Sequence, residues 1–164
     1  MKYVETEIRG ERLGWEELKH MLGETVQGEG MVYVIRDMGE VLFIILRRRD
    51  GLLQCVWNEQ EGRELKEGSA VILTGQVVEE KRAPHGIEIH AEAVQILSRP
   101  VQPMPLAISK WKLQTSLEAK LEMRPVSLRN IRERAKFKIQ EGLCRAFRDY
   151  LYSQGFTEIH TPKI

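Results

Sequence analysis

Cysteine is almost absent. Of 164 residues only Cys55 and Cys144 are cysteines, and they lie far apart. No Cys-x-x-Cys pair exists, so neither a zinc knuckle nor a dithiol redox motif is written here. A disulfide between the two is not expected in a reducing compartment, and both read as small buried hydrophobes. Long apolar runs are missing as well. The longest, Val41–Leu46, has six residues, far short of the roughly 20 that span a bilayer. The opening MKYVETEIRG has no apolar core of a secretory signal, so no membrane and a cytoplasmic location are expected. With 42% apolar and 30% charged residues, the composition excludes disorder and collagen-like repeats. The length fits one compact domain, or one domain and part of another.

Catalytic sets are missing too. Gly23, Gly28 and Gly30 cluster, but no Gly-Lys-Ser/Thr follows to hold a phosphate, so they read as strand-bulge glycines. His20, His85, His90 and His160 show no metal-ligand spacing. No serine or cysteine has a recognisable base partner. The residues alone give no catalytic residue and no metal.

Charge is nearly balanced at +1, but unevenly placed. Residues 1–100 hold 13 basic against 18 acidic side chains, and residues 101–164 hold 12 against 6. The front part is therefore not a generally basic nucleic-acid binder, and any such contact must come from a local patch.

What is present is a run of β patterns between two helical ones. Trp15, Leu18, Met21 and Leu22 recur at helical spacing. GEGMVYVIRDMG then reads as a strand ending at Met38-Gly39-Glu40. VLFIILRRRDG ends at Asp50-Gly51, a hairpin dipeptide, and LLQCVWN follows as its partner. The polar stretch 58–69 has room for a short helix. AVILTGQVVEEKR is a fourth strand, broken by Ala83-Pro84-His85-Gly86. IEIHAEAVQILS is a fifth, with Ile87, Ile89, Ala91 and Ala93 on one face and Glu88, His90 and Glu92 on the other. Five strands with a helical interruption after the third match a small closed barrel of the OB type.

Residues 99–112 carry three of the six prolines and read as an extended linker. From Asn130 to Gln154, Ile131, Ala135, Ile139, Leu143, Phe147 and Leu151 recur at steps of four, a long amphipathic helix. Asn130 and Glu133 resemble a capping box, and Gly155 is a natural stop. Phe156 begins a further strand. Such a helix and strand cannot bury their own apolar stripe, so the second domain reads as incomplete, either a piece of a longer chain or a natural truncation. The expected division is 1–98 for the N-terminal segment and barrel, 99–127 for the linker, and 128–164 for the start of the second domain.

OB barrels bind single strands on the face of their second and third strands, stacking bases on aromatics and holding phosphates with cations. Phe43, Gln54 and Arg36 have the chemistry for this, with Arg47, Arg48, Arg49, Lys81 and Arg82 crowding the strand ends. The competing reading places Phe43 in the core and the arginines on a solvated tip.

The wording of these segments is specific. Residues 30–56, GMVYVIRDMGEVLFIILRRRDGLLQCV, resemble the anticodon-binding barrel of class II aspartyl-tRNA synthetases, with its pattern GWVxxxRDxGxxxFxxLRDRxGxxQ. APHGIEIHAEAVQILSRPVQPMPLAI is similar to that barrel's last strand and exit, and looks most like the archaeal-type branch, which includes bacterial members that do not discriminate Asp from Asn tRNA. LEMRPVSLRN resembles the approach to the catalytic domain, and AKFKIQEGLCRAFRDYLYSQGFTEIHTPKI the helix and strand of class II motif 1. The resemblance implies that Phe43 stacks on the central uracil of the anticodon, that Gln54 bonds its edge, and that Arg36 contacts the anticodon. It places Lys81, Arg82 and Pro84 in the loop that senses the third base, Pro84 fitting relaxed reading there. Met31, Tyr33 and Arg48 depart from the pattern, with Tyr33 still able to stack. Phe156, Glu158, Thr161 and Pro162 fall where the family has its dimer interface, implying a homodimer. The implied parent activity is ATP- and Mg²⁺-dependent aspartylation of tRNA. The motifs that clamp ATP lie beyond Ile164, so the 164 residues by themselves are expected to be inactive and to hold no cofactor. An asparaginyl-tRNA synthetase fragment and a free-standing, non-catalytic OB module for RNA or protein are the alternatives.

Overall fold

A computed structural model describes residues 13–39, 41–57 and 65–162. The chain divides into two compact units, meeting between Met104 and Pro105. The short helix expected within 58–69 falls mostly on residues outside the described ones.

The first unit opens with a short helix, α1 (Trp15–His20), whose buried Trp15 and Leu18 join the core while Leu22 stays exposed. Five strands follow: β1 (Thr25–Asp37), β2 (Leu42–Arg47), β3 (Leu52–Trp57), β4 (Ala70–Glu79) and β5 (Ile87–Ser98). They close into a barrel in the order β1-β2-β3-β5-β4. All pairs are antiparallel except β3 with β5. Closure works because β1 is long enough to serve two neighbours, β4 along Thr25–Met31 and β2 along Met31–Asp37. The glycines of β1 are not bulge residues. A side chain at Gly28 would meet Leu53 and Ile89, and one at Gly30 would meet Leu46 and Arg47, so both make room for close packing. The β1 bulge sits further on, where Tyr33 is the extra residue between Val32 and Val34. Leu42, Ile44 and Leu46 of β2 point inward with Leu53, Cys55 and Trp57 of β3 and Val71, Leu73 and Val77 of β4.

On β5 the expected alternation holds only to Ala91. Register slips by one residue between Thr74 and Gly75, leaving Glu92 unopposed. An extra residue inverts every side chain after it. Ala93 is therefore exposed, while Val94 and Ile96 pack on the core.

Cys55 is fully buried, and burial pushes its thiol well above the ordinary range. Cys144 is exposed, contrary to the expectation that both are buried.

In the second unit, Ile108 and Leu113 are buried within an irregular stretch that precedes α2 (Leu117–Glu122) and α3 (Arg124–Ser127). The long helix is α4 (Ile131–Ser153). Asn130 caps it, accepting from the Glu133 amide at 3.1 Å. The reciprocal half of a capping box is not made. Glu133 instead binds Lys136, which holds its carboxyl below the usual range, and Lys120 of α2. Gly155 ends the helix at φ +81°, a backbone shape that glycine adopts freely. The strand expected from Phe156 is not formed. Residues 156–162 pair with no strand among the described residues, since a ladder needs a neighbouring edge. None of the helices described is long and apolar enough to cross a membrane.

Candidate nucleic-acid interface

Side chains of β1, β2, β3 and β5 that lie outside the interior cluster form rows across the barrel, Ile45 and Val56 being buried within them. Cross-strand partners place Arg36, Phe43, Val56 and His90 in one row. Val34, Ile45, Gln54 and Glu88 form the next. Rows two residues apart along a strand are separated by about 7 Å. Phe43 is half-buried and lies outside the inward-facing cluster, so it is a surface aromatic supported by neighbouring strands, not a core residue. Arg36 beside it is exposed.

Gln54 is held in place. Its Nε2 donates to Glu88 Oε2 at 2.8 Å, and Glu88 Oε1 accepts at 2.8 Å from Nε2 of His90. A carboxylate has only acceptors, so it fixes which end of the Gln54 amide faces it and which imidazole nitrogen carries the proton. Glu88 itself is only 7% exposed. Its two oxygens therefore serve as the buried anchor of a surface amide and a half-exposed imidazole. One N–H and the carbonyl oxygen of Gln54 remain for another group, a donor beside an acceptor, the pairing that matches a base edge.

The remaining residues expected at this surface are differently placed. Lys81 and Arg82 are exposed on the loop between β4 and β5, and Pro84 is half-exposed there. That loop is closed by Glu80 N–H donating to Gly86 C=O at 3.0 Å. Tyr33 is 4% exposed, lodged in the β1 bulge. Its ring offers no open face for a base, so the expected stacking by Tyr33 does not fit this geometry. Arg48 is not a free tip charge either. Its guanidinium turns back to donate to the Leu13 carbonyl and pairs with Asp50 at 3.4 Å.

Sequence reasoning assigned no role to Glu88 and His90. The alternation along β5 already put them on an outward face. What it lacked was the neighbour, because a parallel β3–β5 pairing of residues 34 positions apart leaves no local signature.

In the second unit, Phe156 and Glu158 fold back along the end of α4. Glu158 binds Tyr152 Oη at 2.6 Å and Arg148 Nε at 3.1 Å. These two contacts, the tyrosine's first, hold the Glu158 carboxyl below its usual range, and the carboxylate raises Tyr152 in turn. Cys144, Phe147, Leu151, Phe156 and Thr157 line a groove of about 300 Å³ beside them. Thr161 is exposed, as is Pro162. Ile139, Leu143, Phe147 and Phe156 are all exposed, an apolar face without cover among the described residues.

A closed five-stranded barrel with a half-buried aromatic and an anchored amide on its outer face is an OB-fold nucleic-acid binding domain, and residues 26–97 match that family of domains. Residues 116–164 match the class II tRNA synthetases for D, K and N. The chain is 40% identical over 147 residues to the aspartate–tRNA(Asp/Asn) ligase of Sulfurisphaera tokodaii, covering 87% of this chain and 34% of that protein. It is 40% identical over 149 residues to the same-named ligase of Thermus thermophilus, covering 90% and 35%. Among solved structures, asparaginyl-tRNA synthetase of Pyrococcus horikoshii aligns with a TM-score of 0.78 at 28% identity, over 93% of this chain and 36% of that one. The aspartyl-tRNA synthetase of Entamoeba histolytica aligns with a TM-score of 0.79 at 25% identity, over 96% and 40%. The chain belongs to the aspartyl-type class II tRNA synthetases, with an anticodon-binding OB-fold at residues 26–97 and a class II synthetase segment at residues 116–164. It spans about a third of the length of the curated relatives it matches.

Proposed function

We propose that the outer face of β1, β2, β3 and β5 reads the anticodon arm of tRNA, within a cytoplasmic ligase that joins aspartate to tRNA at the expense of ATP with Mg²⁺. The observation that carries this reading is Phe43 beside a Gln54 amide locked by Glu88. An aromatic face holds a base by stacking, and the amide one row along tests that base's edge. Arg36 supplies a cation at the same row. Lys81, Arg82 and Pro84 stand on the loop that borders the third base. Tyr33 is buried at the β1 bulge and presents no ring face to a base. The names of the relatives, Asp/Asn ligases, agree with acceptance of both tRNA(Asp) and tRNA(Asn).

The test is binding of anticodon stem-loops by fluorescence anisotropy. Phe43→Ala should weaken binding about 10- to 100-fold, since stacking contributes roughly 1–3 kcal/mol per base. Its melting temperature should stay close to that of the parent chain, because Phe43 is outside the core. Gln54→Ala should mainly remove the preference for uracil at the central position, because an amide reads base edges and not phosphates. Unchanged binding of a folded Phe43→Ala variant would remove the stacking role.

The exposed face of α4 with Phe156, Glu158, Thr161 and Pro162 is proposed as a homodimer contact of motif 1. Apolar surface of this extent marks an interface. Sedimentation velocity should show a dimer that Leu143→Asp converts to monomer. A monomeric parent chain at its highest soluble concentration would overturn this contact.

A further inference from the structure

The β4–β5 loop is not held by its own backbone bonds alone. His85 sits at φ +62°, ψ +8°, the left-handed region, and is the only non-glycine residue there among the described residues. A side chain in that conformation is disfavoured and persists only where neighbours hold it. The neighbour is Trp15. The His85 imidazole stacks on the indole with ring centroids 4.1 Å apart and planes at 23°. Trp15 belongs to α1, some 70 residues earlier, and is 7% exposed.

The stack rests on the β2–β3 turn. A Cβ at Gly51 would lie 3.1 Å from Trp15 Nε1 and 3.3 Å from His85 Nε2, so the bare glycine backbone fits against both rings. Arg48, one step before that turn, places its guanidinium carbon 6.0 Å from the indole centroid and donates to the Leu13 carbonyl just ahead of α1. The indole N–H has no hydrogen-bond partner among the described residues. That orientation is unfavourable for the indole by itself, so what it achieves is the ring-on-ring contact. Gln54 is anchored separately, by the Glu88 carboxylate of β5, so the loop and the base-reading amide are held by different contacts.

We propose that Trp15 is a positioning residue for anticodon reading: stacked on His85, it holds the 81–86 loop in the shape that meets the third base. This rests on the anticodon reading above. α1 is then a functional part of the recognition surface, acting through the buried Trp15.

Three stem-loops test it: one intact, one abasic at the third anticodon position, and one abasic at the central position. In the parent chain each removal should weaken binding. In Trp15→Ala the intact arm should bind about two- to tenfold more weakly, the worth of one stacked ring pair. Removal of the third base should then cost nothing further, while removal of the central base should cost as much as in the parent. Trp15→Phe keeps a ring on His85 and should restore the third-base penalty. Should Trp15→Ala fail to fold, His85→Gly removes the same stack, tolerates the positive φ, leaves the core intact, and should behave alike. An undiminished third-base penalty in the folded variant would overturn the proposal. So would an equal fall in both penalties, which marks a general structural role, or a parent chain indifferent to the third base. A parent chain that binds no anticodon arm would instead overturn the reading on which the proposal rests.

Discussion

Gly75→Ala is expected to cost the barrel roughly 3 kcal/mol or more, at or beyond the usual upper end for overpacking. A Cβ at this position would stand 2.1 Å from the His90 carbonyl oxygen and 2.7 Å from Ala91 Cα. Those atoms are backbone, and they belong to the bulge where β5 slips register against β4. A side-chain tip can swing aside, but a bulge in a closed barrel cannot move without breaking ladder bonds. Gly28→Ala is the control. Its Cβ would crowd the methyl ends of Ile89 and Leu53, at 3.1 and 3.2 Å, with the nearest backbone atom, the Leu73 oxygen, at an ordinary 4.0 Å. For a unit of this size each kcal/mol shifts the melting temperature by about 4–8 °C, so Gly75→Ala should melt more than about 10 °C below the parent chain and Gly28→Ala much closer to it. Circular dichroism melts of both variants decide it, and equal midpoints would refute the bulge argument.

Asn130→Asp should be about as damaging to the second unit as Asn130→Ala, although aspartate caps helices as well as asparagine does. Asn130 is 1% exposed. Its Oδ1 caps α4, while its Nδ2 donates to the carbonyls of Ile108 and Lys110, each at 2.7 Å. Alanine loses the cap, about 1 kcal/mol, and takes a buried donor from two carbonyls, about 1–3 kcal/mol more. Aspartate keeps the cap but aims a buried carboxylate at two carbonyl oxygens, a mismatch worth roughly 3–5 kcal/mol if it stays charged. Hydrogen exchange of the first turn of α4 and of residues 108–113 should accelerate in both variants, with the barrel unaffected. Parent-like protection in Asn130→Asp would show that the two donor contacts contribute little.

The long helix was legible because its cause is local. Asn130 as cap, apolar residues at steps of four and Gly155 as stop all act within one turn of their own position, and the observed helix departs from the expected one by a residue at each end. The five strands and the Asp50-Gly51 hairpin were legible for the same reason. The strand after Phe156 was not, because no strand edge lies beside residues 156–162 among the described residues.

At the candidate interface, the order of residues along the chain set which side-chain types were available: an aromatic at 43, an amide at 54 and a cation at 36, in an order that resembles a known family. It left open whether Phe43 faced the core, since the alternation along Val41–Leu46 is apolar on both faces. That Phe43 faces out, that Tyr33 is lodged in a bulge and that Ala93 turns to solvent after Glu92 became visible in the closed barrel alone. It also brought Glu88 to Gln54 and Trp15 to His85. The physical reason is one of range. Helix caps and hairpin turns are settled by bonds between residues a few positions apart, whereas barrel closure, a parallel strand pair and a bulge are settled by which distant backbone arrives alongside. A single slip of register there inverts every side chain that follows.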